Sequence, residues 1–261
     1  MSVWDMYEER VNAYGKTRRE RLLNQTKDNI SRKIESSLSY HSVSIDGFNQ
    51  CVTITDDSND VSIKNICSLP DEGLIHGGVV EYANSHWIIT EVDADDEVYA
   101  KGKMQRCNYL LKWLDDTGSV IEKWSIVEDG TKYLIGEKSS DMMSIGDARI
   151  AITLPKDVDT NKLCRGKRFL VDDDDTDRVL AYQITKPNKL YNVYGGHGVF
   201  RFILNEVNLT DDDNVKLRIA DYYNWQKPVE ELKHKDQDVT LSEIIDRSES
   251  NYDKTSEGRW I

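Results

Sequence analysis

The spacing of apolar positions changes along the chain, and the change marks its parts. Between residues 5 and 38, Leu22, Thr26, Ile30, Ile34 and Leu38 recur every four residues among charges, which predicts helix. Gly15 predicts a break between a short first helix and a longer second one. The stripe is narrow, so this arm needs a partner surface to hold it.

From Ser39 the period becomes two. Val43 and Ile45, then Val52 and Ile54, predict a hairpin around Asp46-Gly47. Val61, Ile63 and Ile66 predict a further strand, and "VVEY" and "HWIITEV" flank a tight turn at Ala83-Asn84-Ser85. After an acidic loop at residues 93–97, "QRCNYLLKW" alternates, with Cys107, Tyr109, Leu111 and Trp113 on one face. A turn at 115–118 and a strand over 120–127 complete this set, which reads as a small barrel or sandwich.

Residues 137–146 form a polar link, and the pattern then restarts. "ARIAITLP", "KRFLV", "RVLAYQITKP", "GVFRFILNEV" and "VKLRIADYY" read as strands, with an acidic hairpin tip at 172–177. The second half looks like a copy of the first. With Ile89-Thr90 set on Ile184-Thr185, Trp87 falls on Tyr182 and Val98-Tyr99 on Val193-Tyr194. One inserted residue brings Gly102 onto Gly198 and Met104 onto Phe200, while "GVVEY" faces "GKRFL" with a longer tip. Past residue 225 the β pattern is lost, and Thr240-Leu241-Ser242-Glu243 reads as a capping-box start for a short helix.

The expected fold class is therefore mainly β. A helical arm (1–40) precedes two similar β-barrel or sandwich units (41–136 and 137–225), and a short helical extension (226–261) follows.

Composition narrows the function. The 261 residues carry a net charge of −13, which disfavours non-specific nucleic-acid binding and anionic membranes. Residues 1–40 are mildly basic, net +2, against −12 in the middle and −3 in the tail, so the ends are expected to face different partners. The four cysteines, 51, 67, 107 and 164, match no zinc spacing and read as small core residues of a reducing compartment. The start lacks the basic and apolar regions of a signal peptide, and no stretch approaches the roughly 18 apolar residues of a span, so synthesis and retention in cytoplasm are expected.

Candidate chemistry is thin. His41, His76, His86, His197 and His234 lie in no nucleophile motif; there is no G-x-S-x-G. "DDDDTD" (172–177) has the one-three-five spacing of a calcium loop, but Arg178 stands where that loop needs glycine, and the flanks are strands. No phosphate loop is present, and 47 acidic residues select no glycosidase pair. The only basic cluster is Lys16, Arg18, Arg19 and Arg21, interrupted by Glu20. It is too short for a duplex-DNA site and fits contact with another protein's acidic rim or a brief DNA contact in an assembly. Tyr82, Trp87, Tyr99, Tyr109 and Trp113 offer stacking surfaces for single strands or sugars, but alternation sends most of them to core faces.

Residues 77–113 resemble head-closure and neck proteins of tailed bacteriophages of Gram-positive hosts. The resemblance rests on Trp87, Ile89, Thr90, Glu91, Val92 and Asp93, followed by Tyr99, Gly102, Met104, Cys107, Asn108, Leu111, Lys112 and Trp113. "MYEERVNAYGKTRRERLLNQ" is similar to the helical start of such proteins. It implies a non-enzymatic virion component without cofactor, assembled in the host cytoplasm. That component would form a homo-oligomeric ring between head and tail, touching a portal or adaptor, other neck or tail proteins and, transiently, packaged DNA. Head-closure proteins of this kind are usually shorter with one barrel, so the tier of the neck stays open. The rival reading is a tail-tip or host-carbohydrate-binding β-barrel protein.

Overall fold

A computed structural model describes residues 2–58, 60–93, 97–129, 149–172 and 179–225. Two helices, α1 (Val3–Val11) and α2 (Arg18–Glu35), open the chain. The first sheet follows, made of β1 (Tyr40–Ile45), β2 (Phe48–Asp56), β3 (Ile63–Ser68), β4 (Val79–Tyr82), β5 (Ser85–Asp93) and β6 (Lys101–Arg106). It closes into a barrel in the order β1-β2-β3-β6-β5-β4. The second contains β7 (Tyr109–Leu114), β8 (Val120–Asp129), β9 (Arg149–Pro155), β10 (Arg168–Asp172), β11 (Val179–Asn188), a two-residue β12 (Val193–Tyr194) and β13 (His197–Val207). A short helix, α3 (Val158–Lys162), sits between β9 and β10. The second sheet runs β10-β11-β13-β9-β8-β7, with β12 paired to β13.

Read from the other end, the barrel order is β4-β5-β6-β3-β2-β1. Each strand then has a counterpart at the same place in the second sheet, β1 with β7, β2 with β8, β3 with β9, β4 with β10, β5 with β11 and β6 with β13. Fine details repeat as well. The β5–β6 ladder slips at Thr90 and the β11–β13 ladder at Thr185, each a β-bulge in an Ile-Thr pair. Beside the first bulge, the Gly77 N–H donates to Ile89 O at 2.8 Å and the Ile89 N–H to Gly78 O at 3.0 Å. Beside the second, Gly166 and Lys167 bond Ile184 in the same way, both at 2.9 Å. Each threonine hydroxyl donates across its ladder, Thr90 to Lys103 O at 3.4 Å and Thr185 to Ile203 O at 3.1 Å. Trp87 and Tyr182 hold matching places, opposite Val80 and Phe169.

The strand registers correct two parts of the repeat alignment and one predicted strand. Met104 stands opposite Ile89 as Leu204 stands opposite Ile184, so the counterpart of Gly102 is Phe202, not Gly198. Gly77-Gly78 answers to Gly166-Lys167, one residue from the expected match. "QRCNYLLKW" is not one strand. β6 ends at Arg106, and β7 begins at Tyr109 in the other sheet. The sheets thus divide at residues 107–108 rather than at 136/137, and β8 pairs with β9 of the second set. The link at 137–146, the acidic tip at 173–177 and the extension at 226–261 lie outside the described residues.

Each sheet wraps its own core. Val43, Ile45, Val52, Ile54, Ile66, Val80, Trp87, Ile89 and Met104 fill the barrel. Leu111, Trp113, Leu154, Phe169, Tyr182, Phe200 and Phe202 are among the residues filling the second sheet. The barrel closes because Ile45 pairs with Val80 and the Asp46 N–H donates to Val79 O at 2.9 Å. The equivalent pair, β7 and β10, is bridged by side chains. Lys167 Nζ donates to Leu114 O at 2.9 Å, and Trp113 meets Phe169 edge-on at 5.9 Å. Burial holds the Lys167 ammonium below its ordinary pKa.

"VKLRIADYY" forms no strand. Arg218 and Asp221 take left-handed backbone angles, φ 60° and 55°, which interrupts the alternation. The segment is clasped instead by buried Asp213, whose carboxylate accepts from the Thr210 and Asp221 N–H groups at 2.8 and 2.9 Å. Arg168 supplies two more donors to it at 3.0 and 2.8 Å. Burial pushes the Asp213 carboxyl up, but the Asp221 and Thr210 N–H groups and the Arg168 guanidinium outweigh it and hold the group below the usual carboxylate range.

Two predictions follow from the cores and the clasp. Trp87→Ala and Trp113→Ala each remove a nearly buried ring and should cost about 3–5 kcal/mol in urea denaturation; unchanged midpoints would contradict the core assignment. Asp213→Asn breaks a buried charged pair and should cost about 3–5 kcal/mol. Because the folded carboxyl is depressed, its contribution is complete above the ordinary value near pH ~4 and is lost as pH falls through the lowered one. Wild type should therefore lose more stability on acidification than Asp213→Asn, and parallel pH profiles would count against the clasp.

Candidate assembly interface

The described residues hold no group of three or more His, Cys, Asp or Glu placed to bind a metal ion. No described helix is long and apolar enough to cross a membrane. The features that remain are the arm, the joint between the sheets and the exposed apolar surfaces.

The basic cluster surrounds the start of α2. Thr17 caps that helix in a capping box with Glu20: the Glu20 N–H donates to Thr17 Oγ1 at 3.2 Å. Glu20 Oε2 accepts from the N–H groups of Lys16 and Thr17 at 2.8 and 3.2 Å, and these backbone bonds lower its pKa. Glu20 thus has a local task, and its place among the basic residues follows from it. Gly15 makes the turn possible. Its φ is +124°, and a Cβ there would stand 2.5 Å from Glu20 Cβ.

Lys16, Arg18, Arg19 and Arg21 are all exposed. Arg19 meets Glu97 of the barrel at 2.6 Å, with both side chains largely in solvent. The Arg21 guanidinium reaches Lys16 O at 3.5 Å. The structure brings these four together at the positive end of the α2 dipole, which adds to their potential. It shows no further group that would make them a catalytic set.

The half-buried face of α2 is Leu23, Lys27, Ile30 and Ile34, one step round from the expected stripe. Leu22 is 56 % exposed, and Leu38 lies beyond the helix and is fully exposed. Lys27 anchors the helix to Asp71 at 2.5 Å. Between helix and barrel lies a shallow cleft of about 190 Å³, edged by Lys27, Asp71, Glu72, Glu97 and Tyr99.

The joint between the sheets takes up His76, His86 and Cys107; of the other cysteines expected in a core, Cys51 and Cys67 are half-buried and Cys164 is exposed. Ile88, Cys107, Ile126 and Val199 form a buried cluster drawn from both sheets, with Val79 and Trp124 packed against it. Burial pushes the Cys107 thiol up to about 12, which keeps it protonated and unreactive. His86 stacks on Trp124 at 4.4 Å, with ring planes 13° apart. His76 Nε2 lies 2.7 Å from Thr90 O, and its ring faces Tyr194 of the second sheet at 5.5 Å. Glu128 accepts from Gln105 of one sheet and Arg201 of the other, both at 2.7 Å. Gly77 is required where the backbones touch, since a Cβ there would stand 2.0 Å from Gly198 O.

Of the aromatics considered for stacking, Trp87 and Trp113 are buried, and Tyr82, Tyr99 and Tyr109 half-buried. Sequence reasoning missed the exposed ones. Val3, Trp4, Tyr7 and Val11 on α1 are 77, 77, 61 and 43 % exposed, and Leu190, Tyr191 and Tyr194 are 89, 70 and 69 % exposed. The signal was available, because residues 3, 4, 7, 11 and 14 make a helical apolar stripe.

Residues 11–106 match the family model of the YomX N-terminal domain, a phage-associated family of the Bacillus prophage type. The match covers α2 and the whole closed barrel, and it ends at the last residue of β6, where the sheets divide. No curated protein and no solved structure matches the chain.

Proposed function

We propose that this chain is a non-enzymatic structural protein of the phage neck. In this reading it forms a ring that joins the DNA-filled head, at its portal or adaptor, to the tail and helps to close the DNA channel. The observation that carries the reading is the arm: α1 buries no residue in its own chain, although it is capped at Ser2 and carries an apolar stripe. A helix of that kind is made to be covered by another surface. The phage-associated match and the resemblance of residues 77–113 to neck proteins support the setting.

The tail-tip reading asks for exposed aromatics that could stack on a sugar. Tyr191 and Tyr194 meet that requirement, while Trp87 and Trp113 do not. Deleting the gene and viewing the particles by electron microscopy separates the two. Unjoined heads and tails are expected. A copy carrying Arg18→Glu and Arg21→Glu should fold with stability within about 0.5 kcal/mol of wild type yet fail to restore joining. Complete particles that fail only to adsorb would overturn the neck reading in favour of the tail tip.

A further inference from the structure

Among the described residues, exposed apolar side chains gather on α1 and on the tip between β11 and β13, and these two surfaces differ in charge. The stripe on α1, Val3, Trp4, Tyr7 and Val11, is bordered on the Trp4 side by Glu8 and on the other by Arg10, with Asp5 and Glu9 behind. The other surface is the tip between β11 and β13, where Leu190, Tyr191 and Tyr194 project. Residues 179–205 contain none of the chain's 47 Asp and Glu but do contain Lys186, Lys189 and Arg201.

The tip is a formed platform. Val193 and Tyr194 pair with Gly198 and His197, and the Val199 N–H donates to Asn192 O at 3.1 Å. Gly198, at φ +149°, passes so close to Asn192 O that a Cβ would lie 2.1 Å from it. Lys189 Nζ ties the tip to Asn161 O at 2.6 Å. Tyr194 rests against His76. Lys186 is exposed on the strand that leads to the tip. Lys156 adjoins it, its N–H donating to Gly198 O at 2.9 Å. Asp157 and Asp159, which follow Lys156, are turned onto Lys123 at 2.9 and 3.4 Å.

We propose that α1 of one copy seats on the 189–197 tip of a second copy. Trp4 and Tyr7 cover Tyr191 and Tyr194, and Glu8 faces Lys156, which adjoins Gly198 at the base of the tip. The charges select this occupant: the Trp4 side of the apolar stripe carries Glu8, and the tip, whose own residues hold no acid, carries Lys156 beside it, on a chain that is otherwise strongly acidic. Each copy carries one of each surface, at different places. The contact is therefore head-to-tail and propagates from copy to copy, closing into a ring when the rotation allows. The inference deepens the ring reading and rests on it.

Light scattering of the full chain over a concentration series tests the contact. Wild type should self-associate. Trp4→Ser with Tyr7→Ser should be monomeric with an unchanged melting curve, because neither side chain is buried. Glu8→Lys should weaken association by at least about tenfold, and adding Lys156→Glu to the same chain should restore it. Association that survives both Trp4→Ser/Tyr7→Ser and Tyr191→Ser/Tyr194→Ser would overturn this contact while leaving a ring in place. A wild-type chain that stays monomeric at every concentration would also overturn it, and the knockout particles would then judge the neck reading separately.

Discussion

The joint between the two sheets is the constraint on which the molecule depends. Only two residues, Cys107 and Asn108, separate β6 from β7. A connection that short leaves little room to reorient, and side chains from both sheets fill the space around it. Ile88, Cys107, Ile126 and Val199 are all nearly buried there. Asn108 is bound at both ends of its amide, donating to Val127 O and accepting from the Val127 N–H, each at 2.8 Å. Glu128, held by donors from both sheets, and the backbone approach at Gly77 and Gly198 complete the fixation. The result is that the two sheets are held against one another, with the tip between β11 and β13 at a set position.

The repeated unit explains how such a body arises from a modest sequence. One six-strand topology occurs twice, with the same bulge at an Ile-Thr pair and the same clamp on the isoleucine. The two units differ where they close. The first completes its barrel by main-chain pairing of β1 with β4. In the second, Lys167 and the Trp113–Phe169 pair do that work with side chains. That solution partly withdraws a charged group from water, so it depends on the surrounding core remaining intact.

Much of the β architecture was legible in the alternation of apolar residues and in the turn chemistry. Asp46-Gly47 and Ala83-Asn84 adopt the left-handed angles that tight hairpins need, and the residues around them pair as their spacing implies. The mistakes have local causes. Cys107-Asn108 carries no glycine or proline, so unbroken alternation concealed a change of sheet. "VKLRIADYY" alternates too, but its backbone obeys a buried aspartate forty-five residues from its arginine partner. On α2, the adjacent Leu22 and Leu23 gave two competing stripes, and packing against the barrel chose Leu23. The basic cluster was found from sequence. The exposed faces of α1 and of the 189–197 tip were not, because exposure is decided by what the rest of the chain fails to cover.

Three groups that could carry chemistry have structural tasks here. Cys107 is held protonated by burial, His86 is stacked in the joint and Asp213 is committed to a clasp. Exposed apolar side chains on α1 and on the 189–197 tip are what the proposed contact between copies would cover. The measurement that tests this account most directly is electron microscopy of intact particles labelled with a gold-tagged antibody against the chain. The account predicts label at the head–tail junction. Label at the distal end of the tail, or particles that bear none, would contradict it.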